Sequence, residues 1–139
     1  MSVKATARGV RMSPRKVGVV AALVRGRTVA EALTILEHTP RRAATPVRKV
    51  IESARANADN NHQTKPETLV ITQISVTPGP RIKRYRPAAH GRALPFQRKT
   101  SHIFVEVDGE KRAPKKPAAT KATAEKAPVK KVTAKKEAK

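Results

Sequence analysis

The sequence predicts an α+β fold, with three helices laid over one face of a small three-stranded sheet and a basic arm projecting from that sheet. Three observations carry this reading. Apolar residues recur with strand period near both ends of residues 1–109 and with helix period between. Two strand-like segments, Leu69–Thr77 and His102–Asp108, flank Pro78–Ser101, which holds Arg81, Lys83, Arg84, Arg86, Arg92, Arg98 and Lys99 and no acidic residue. After Gly109 the chain becomes almost entirely Lys, Ala, Pro, Thr and Glu.

The elements follow in order. Val3, Ala5 and Ala7 alternate with Lys4, Thr6 and Arg8, a short strand with one apolar face. Ser13-Pro14 reads as a helix start, with Ser13 as N-cap and Pro14 at the first helical position. Val17, Val20, Ala21 and Val24 form its apolar stripe, and Gly26 can end it. Thr28 and Glu31 have capping-box spacing before a second stripe of Val29, Ala32, Leu33 and Leu36. Thr39-Pro40 is expected to open a third helix with the stripe Ala43, Val47, Val50, Ile51, Ala54 and Ala58, ended by Asn60-Asn61-His62. Pro46 lies early in it and should kink or delay its first turns.

Two further strands complete the sheet. Val70, Thr72, Ile74 and Val76 alternate with Ile71, Gln73, Ser75 and Thr77, and Ile103, Val105 and Val107 alternate with Phe104, Glu106 and Asp108. Residues 110–139, with Pro114, Pro117 and Pro128 and little apolar bulk, read as a disordered tail.

Charge narrows the function. Thirty-one basic residues face ten acidic ones, a net charge of +21. Such self-repulsion weakens a compact state, and a polyanion relieves it through counterion release. Eleven basic and three acidic residues give the tail +8, leaving +13 on residues 1–109, so the basic character is not confined to the tail. In the arm, arginine outnumbers lysine, and its planar fork suits phosphate contact and base stacking. The nearby Ile82, Tyr85, Leu94 and Phe96 add apolar surface that a merely solvated loop does not need. Nucleic acid is therefore the expected partner. Composition leaves RNA or DNA open: no helix-turn-helix reader is evident, and the tail is similar to those of linker histones.

Other classes find little support. No cysteine is present, so disulfide and thiolate-metal chemistry are excluded. His38, His62, His90 and His102 lack metal-ligand spacing. Gly79, Gly91 and Gly109 make no phosphate-binding loop, and Glu106 and Asp108 read as a solvated strand face. Neither a cofactor nor catalysis is expected. No apolar run is long enough to span a membrane, and the start MSVKATARGVRM lacks a secretory signal, so the chain reads as cytosolic.

Four motifs sharpen the partner. Val10–Leu36 (VRMSPRKVGVVAALVRGRTVAEALTIL), Glu52–His62 (ESARANADNNH), Gly79–Ala93 (GPRIKRYRPAAHGRA) and Arg98–Val107 (RKTSHIFVEV) occur in order and with family-like spacing. Together they resemble the family of bacterial ribosomal protein twenty-two of the large subunit, over most of residues 5–108.

The resemblance implies a three-stranded antiparallel sheet with a long protruding β-hairpin at about 78–101. It implies a cytoplasmic place in the ribosome, on large-subunit ribosomal RNA, and a part in subunit assembly. The hairpin tip, Ala88, Ala89, His90, Gly91, Arg92 and Ala93, would line the nascent-chain tunnel beside ribosomal protein four. The expected RNA contacts are Arg8, Arg11, Ser13, Arg15, Lys16, Arg25, Arg81, Lys83, Arg84, Arg86, Arg92, Arg98 and Lys99. From Thr77 to Ala89 an extended strand reaches roughly 40 Å at about 3.3 Å per residue. The chain departs from the family pattern at Pro46, at Ala88 (commonly Arg) and at Leu94-Pro95-Phe96, where a bend in the returning strand is expected.

Overall fold

A computed structural model of the chain describes residues 2–110. Its elements are β1 (Ser2–Val10), α1 (Pro14–Val24), α2 (Val29–His38), α3 (Ala44–His62), β2 (Val70–Pro87) and β3 (Ala93–Asp108), with a single 3-10 turn at Ala89–Gly91. The strands form one antiparallel sheet in the order β1-β3-β2, so the last strand in sequence is the central one. The tail expected to be disordered lies, from residue 111 onward, outside the described residues.

The core sits between the sheet and the helices. Ile103, Val105 and Val107 of β3 are fully buried, and Val3 and Ala5 of β1 are nearly so. Helix α3 lies against β1, α1 against β2, and α2 against α3. Each predicted helical stripe is buried, except that Leu33 is only partly so. The opposite sheet face carries Lys4, Thr6, Phe104 and Glu106 and is partly to fully exposed.

The helix ends refine the expectations. Ser13 occupies the N-cap of α1, but its side chain makes no capping hydrogen bond. Its carbonyl accepts from the Lys16 and Val17 amides (3.0 and 3.3 Å). After α1, Gly26 takes a positive φ of 73°, a conformation that glycine adopts without steric cost. Thr28 caps α2 as predicted, its Oγ1 accepting from the Glu31 amide at 3.3 Å. Thr39 does not open α3. It ends α2, where its Oγ1 donates to the Ile35 carbonyl at 2.6 Å. Helix α3 begins only at Ala44, which places Pro46 in the first turn. Amides there have no intrahelical acceptor, so proline costs no hydrogen bond.

The strand phase also departs from simple alternation. Ile71 pairs with Val107, but Gln73 pairs with Glu106, so Thr72 is an extra residue forming a β-bulge. The bulge brings both Ile71 and Ile74 to the core face and leaves Val70 40% exposed. The connector between α1 and α2 then covers the outer edge of β2: Gly26 N–H donates to the Ile71 carbonyl and Ile71 N–H to the Arg27 carbonyl (3.1 and 2.9 Å).

Two more irregularities flank the root of the hairpin. The β1–β3 register shifts between Ala7 and Val10, where Gly9 N–H donates to His102 Nδ1 at 3.0 Å. The β2–β3 register shifts between Pro78 and Arg81, where Thr100 Oγ1 donates to the Pro80 carbonyl at 2.7 Å. Beyond that point β2 and β3 pair without a shift to Pro87 and Ala93. The expected bend at Leu94-Pro95-Phe96 is therefore absent, and Pro95 pairs in register with Tyr85. The break in regularity lies at the root instead.

The root predicts a measurable cost. A Cβ at Gly79 would stand 2.5 Å from Thr100 Oγ1, the atom that holds Pro80. Gly79→Ala should lower stability by about 1–3 kcal/mol, the usual range for overpacking. Combining it with Thr100→Ala should recover part of that loss, and denaturant unfolding of all three variants reads the coupling.

Candidate nucleic-acid interface

The arm is a two-stranded ribbon, and its pairing decides which charges share a face. Residues directly opposite one another in an antiparallel pair point to the same side. Arg81 and Lys99, with Lys83 opposite Gln97, lie on one face with Tyr85. Arg98 opposite Ile82, Arg84 opposite Phe96, and Arg86 opposite Leu94 lie on the other. Cations thus occupy both faces. Ile82, Tyr85 and Leu94 are 42%, 70% and 59% exposed, so the ribbon has no core of its own. Its one aromatic contact places the Arg86 guanidinium 4.9 Å from the Phe96 ring centroid, an interaction that fixes the cation without neutralising it.

The tip closes tightly. Ala88 N–H donates to the Arg92 carbonyl at 2.7 Å, and Arg92 N–H donates to the Ala89 carbonyl at 3.4 Å. Gly91 has φ 67°, as its place in a tight turn requires, but His90 also lies in the left-handed region at φ 58°. Ala93 already belongs to β3. Past the root bulge the arm extends about 20–30 Å at ~3.3 Å per residue.

At the root, three segments surround a groove of about 700 Å³. The turn into α1 contributes Arg11, Met12, Ser13 and Lys16, and the hairpin contributes Gln97, Arg98 and Lys99. The third segment is the turn between α2 and α3, with Arg41, Arg42 and Ala43. Six of the lining residues are cationic and none is acidic. A smaller cleft that shares Ser13 and Lys99 with the groove is lined also by Arg15 and Arg81.

The predicted site residues therefore divide. Arg11, Ser13, Lys16, Arg98 and Lys99 meet in the groove, while Arg15 and Arg81 flank it. Lys83, Arg84 and Arg86 run along the ribbon and Arg92 stands at its tip. Arg8 is exposed on β1 and lines neither depression. Arg25 donates from Nη2 to the Ile74 carbonyl at 3.3 Å, which ties α1 to β2. Arg41, Arg42 and Gln97 belong to the groove without having been singled out in the sequence. The adjacent arginines between Pro40 and Ala43 were the available signal.

Acidic side chains that form ion pairs do so elsewhere. Glu37 and Glu52 both meet Arg48 on the helical side (3.5 and 2.8 Å), and Glu106 meets Lys4 across the sheet (3.8 Å). The hydrogen bond to Glu52, then the charge of Glu37, raises the Arg48 pKa above its usual value. These are surface pairs, which contribute little to stability. Among the described residues no group of His, Asp and Glu could hold a metal, and no helix is long and apolar enough to cross a membrane.

A small core that carries a cationic ribbon and a cationic groove has the charge layout of a polyanion-binding structural protein. Comparison with known proteins identifies its family. Residues 5–108 match the family model described as ribosomal protein L22p/L17e. The large ribosomal subunit protein uL22 of Clostridioides difficile (strain 630) is 51% identical over 111 residues, covering 80% of this chain and 100% of the relative. That of Herpetosiphon aurantiacus is 52% identical over 108 residues, covering 78% and 96%. That of Clostridium tetani is 50% identical over 107 residues, covering 77% and 96%. The chain belongs to the ribosomal protein L22p/L17e family. As a member it is a structural constituent of the large ribosomal subunit, associated with ribosomal RNA and other ribosomal proteins, and is not an enzyme.

The tip geometry has a testable consequence. A Cβ at Gly91 meets nothing within 4 Å, so the penalty of Gly91→Ala is conformational alone, about 1 kcal/mol. His90→Gly should act in the opposite direction on the folded turn, by relieving the same strain at φ 58°. Hydrogen exchange at the Ala88 amide reports both changes, faster in the first variant if the turn opens.

Proposed function

We propose that this protein anchors on large-subunit ribosomal RNA through the hairpin root and threads its ribbon between RNA segments. The single observation that carries this reading is the presence of cations on both faces of the ribbon. A ribbon lying on one surface needs charge on one face only. Charge on both faces suits insertion, with phosphates on either side. Arg81, Lys83, Arg84, Arg86, Arg98 and Lys99 would meet those phosphates. Arg8, Arg11, Ser13, Arg15, Lys16 and Arg25 would hold the globular part, with Arg25 also bracing α1 on β2. By bringing these RNA segments together the protein would support subunit assembly.

The tip, Ala88, Ala89, His90, Gly91, Arg92 and Ala93, is then carried away from the core and presents mostly small side chains. This suits a place on the wall of the polypeptide exit tunnel, beside ribosomal protein four and the passing nascent chain. Small side chains leave room there for a moving peptide.

The RNA reading is tested by salt. Replacing Arg81, Lys83, Arg84 and Arg86 with Ala should reduce the slope of log affinity against log salt by about 0.7–0.9 for each phosphate no longer neutralised, measured on large-subunit ribosomal RNA. An unchanged slope would count against the ribbon. Removing residues 110–139 should leave structured-RNA binding in place, since residues 1–109 keep twenty basic against seven acidic residues. The tunnel reading has its own test. Deleting Ile82–Arg84 should alter susceptibility to tunnel-binding antibiotics such as macrolides in cells whose subunits incorporate the variant normally, and unchanged susceptibility would oppose it.

A further inference from the structure

We propose that the groove at the hairpin root is a pocket for an unpaired RNA nucleotide, its base on the apolar floor and its phosphates on the cationic rim. The inference rests on the ribosomal-RNA reading and assigns this depression a distinct role within it. The lining is layered. Ala43 is 3% exposed and Met12 packs against the core, so these two form an apolar floor. Lys16, Arg41, Arg42 and the hairpin cations are exposed and form the rim.

A rigid duplex presents its phosphates on a convex surface. It would reach only part of this rim at a time and leave the floor empty. Unpaired RNA can turn a base into a concavity while its backbone follows the edge. The volume of about 700 Å³ falls within the range of about 300–1,000 Å³ typical of pockets for small organic ligands. Arginine planes can stack on a base as well as meet phosphate, which offsets the scarcity of aromatic residues in this chain. Gln97 lines the same groove and is uncharged, with both donor and acceptor for a base edge. Arg41 and Arg42 stand in a turn that makes no part of the ribbon, so replacing them probes the pocket while leaving the cations of the arm in place.

Two measurements on the full chain test this. Affinity for a short unstructured oligouridine and for an RNA duplex of equal length is compared by fluorescence anisotropy, before and after Arg41→Ala with Arg42→Ala. Binding of the single strand should fall about tenfold or more and its salt slope by about 1.4, for two phosphates at about 0.7 each, with a clearly smaller loss on the duplex. An equal loss on both would overturn the pocket.

Next, Gln97 is replaced by a photoreactive benzophenone amino acid, and RNA crosslinks are mapped in assembled large subunits. Crosslinks at the bases of unpaired nucleotides support the proposal. Crosslinks confined to paired helices, or to protein alone, overturn it while leaving the ribosomal-RNA reading intact. If the unmodified chain fails to co-sediment with large subunits, the broader reading fails and the pocket falls with it.

Discussion

The double pairing of β3 is the constraint on which the rest of the structure depends. Between Ser101 and Asp108 this strand is bonded to β1 on one side and β2 on the other, while Ile103, Val105 and Val107 face the helices. The same strand continues outward as one side of the hairpin. The arm is therefore an extension of the most fully held strand in the molecule. At the root the two flanking strands part company. Strand β1 departs through its irregularity at Gly9, and β2 absorbs one extra residue at Gly79-Pro80 before pairing resumes. His102 and Thr100 accept and donate the hydrogen bonds that hold these irregular segments. Bulges bend and twist strands, so this root sets the direction in which the ribbon leaves the core.

Charge supplies the second constraint. The fold pairs Arg48 with Glu37 and Glu52 and Lys4 with Glu106, all away from the groove. It gathers cations at the root and along both faces of the ribbon. Directly opposed like charges such as Arg81 and Lys99 disfavour pairing in isolation. An enclosing polyanion reverses that sign. Enclosure of the ribbon by ribosomal RNA, as proposed, would account for a charge pattern that disfavours an isolated ribbon.

Helix patterning was highly legible in the sequence because burial demands it directly. The stripes of α1, α2 and α3 identify their core faces nearly residue by residue, and Ser13, Thr28 and Gly26 mark their ends. Thr39 and Pro46 were harder to place, since threonine near proline suits either the end of one helix or the start of the next. The choice depended on whether Thr39 Oγ1 could reach the Ile35 carbonyl. Likewise, alternation in β2 could not disclose the extra residue at Thr72, because a bulge changes the phase without changing the composition. The ribbon cations were legible from charge alone. Arg41, Arg42 and Gln97 were not, since they join Lys16 only when two turns and a hairpin strand, distant in the chain, converge.

By itself, the sequence determined the α+β class, the faces of the helices, the basic arm and membership of a ribosomal protein family. Those properties follow from local periodicity, composition and contiguous motifs. Tertiary structure alone decided the strand order β1-β3-β2, the site of the bulges, the burial of Ile71 rather than Val70, and the groove. Each depends on pairing or packing between residues far apart in the chain. A hydrogen-bond register is a relation between two segments, and neither segment contains it alone.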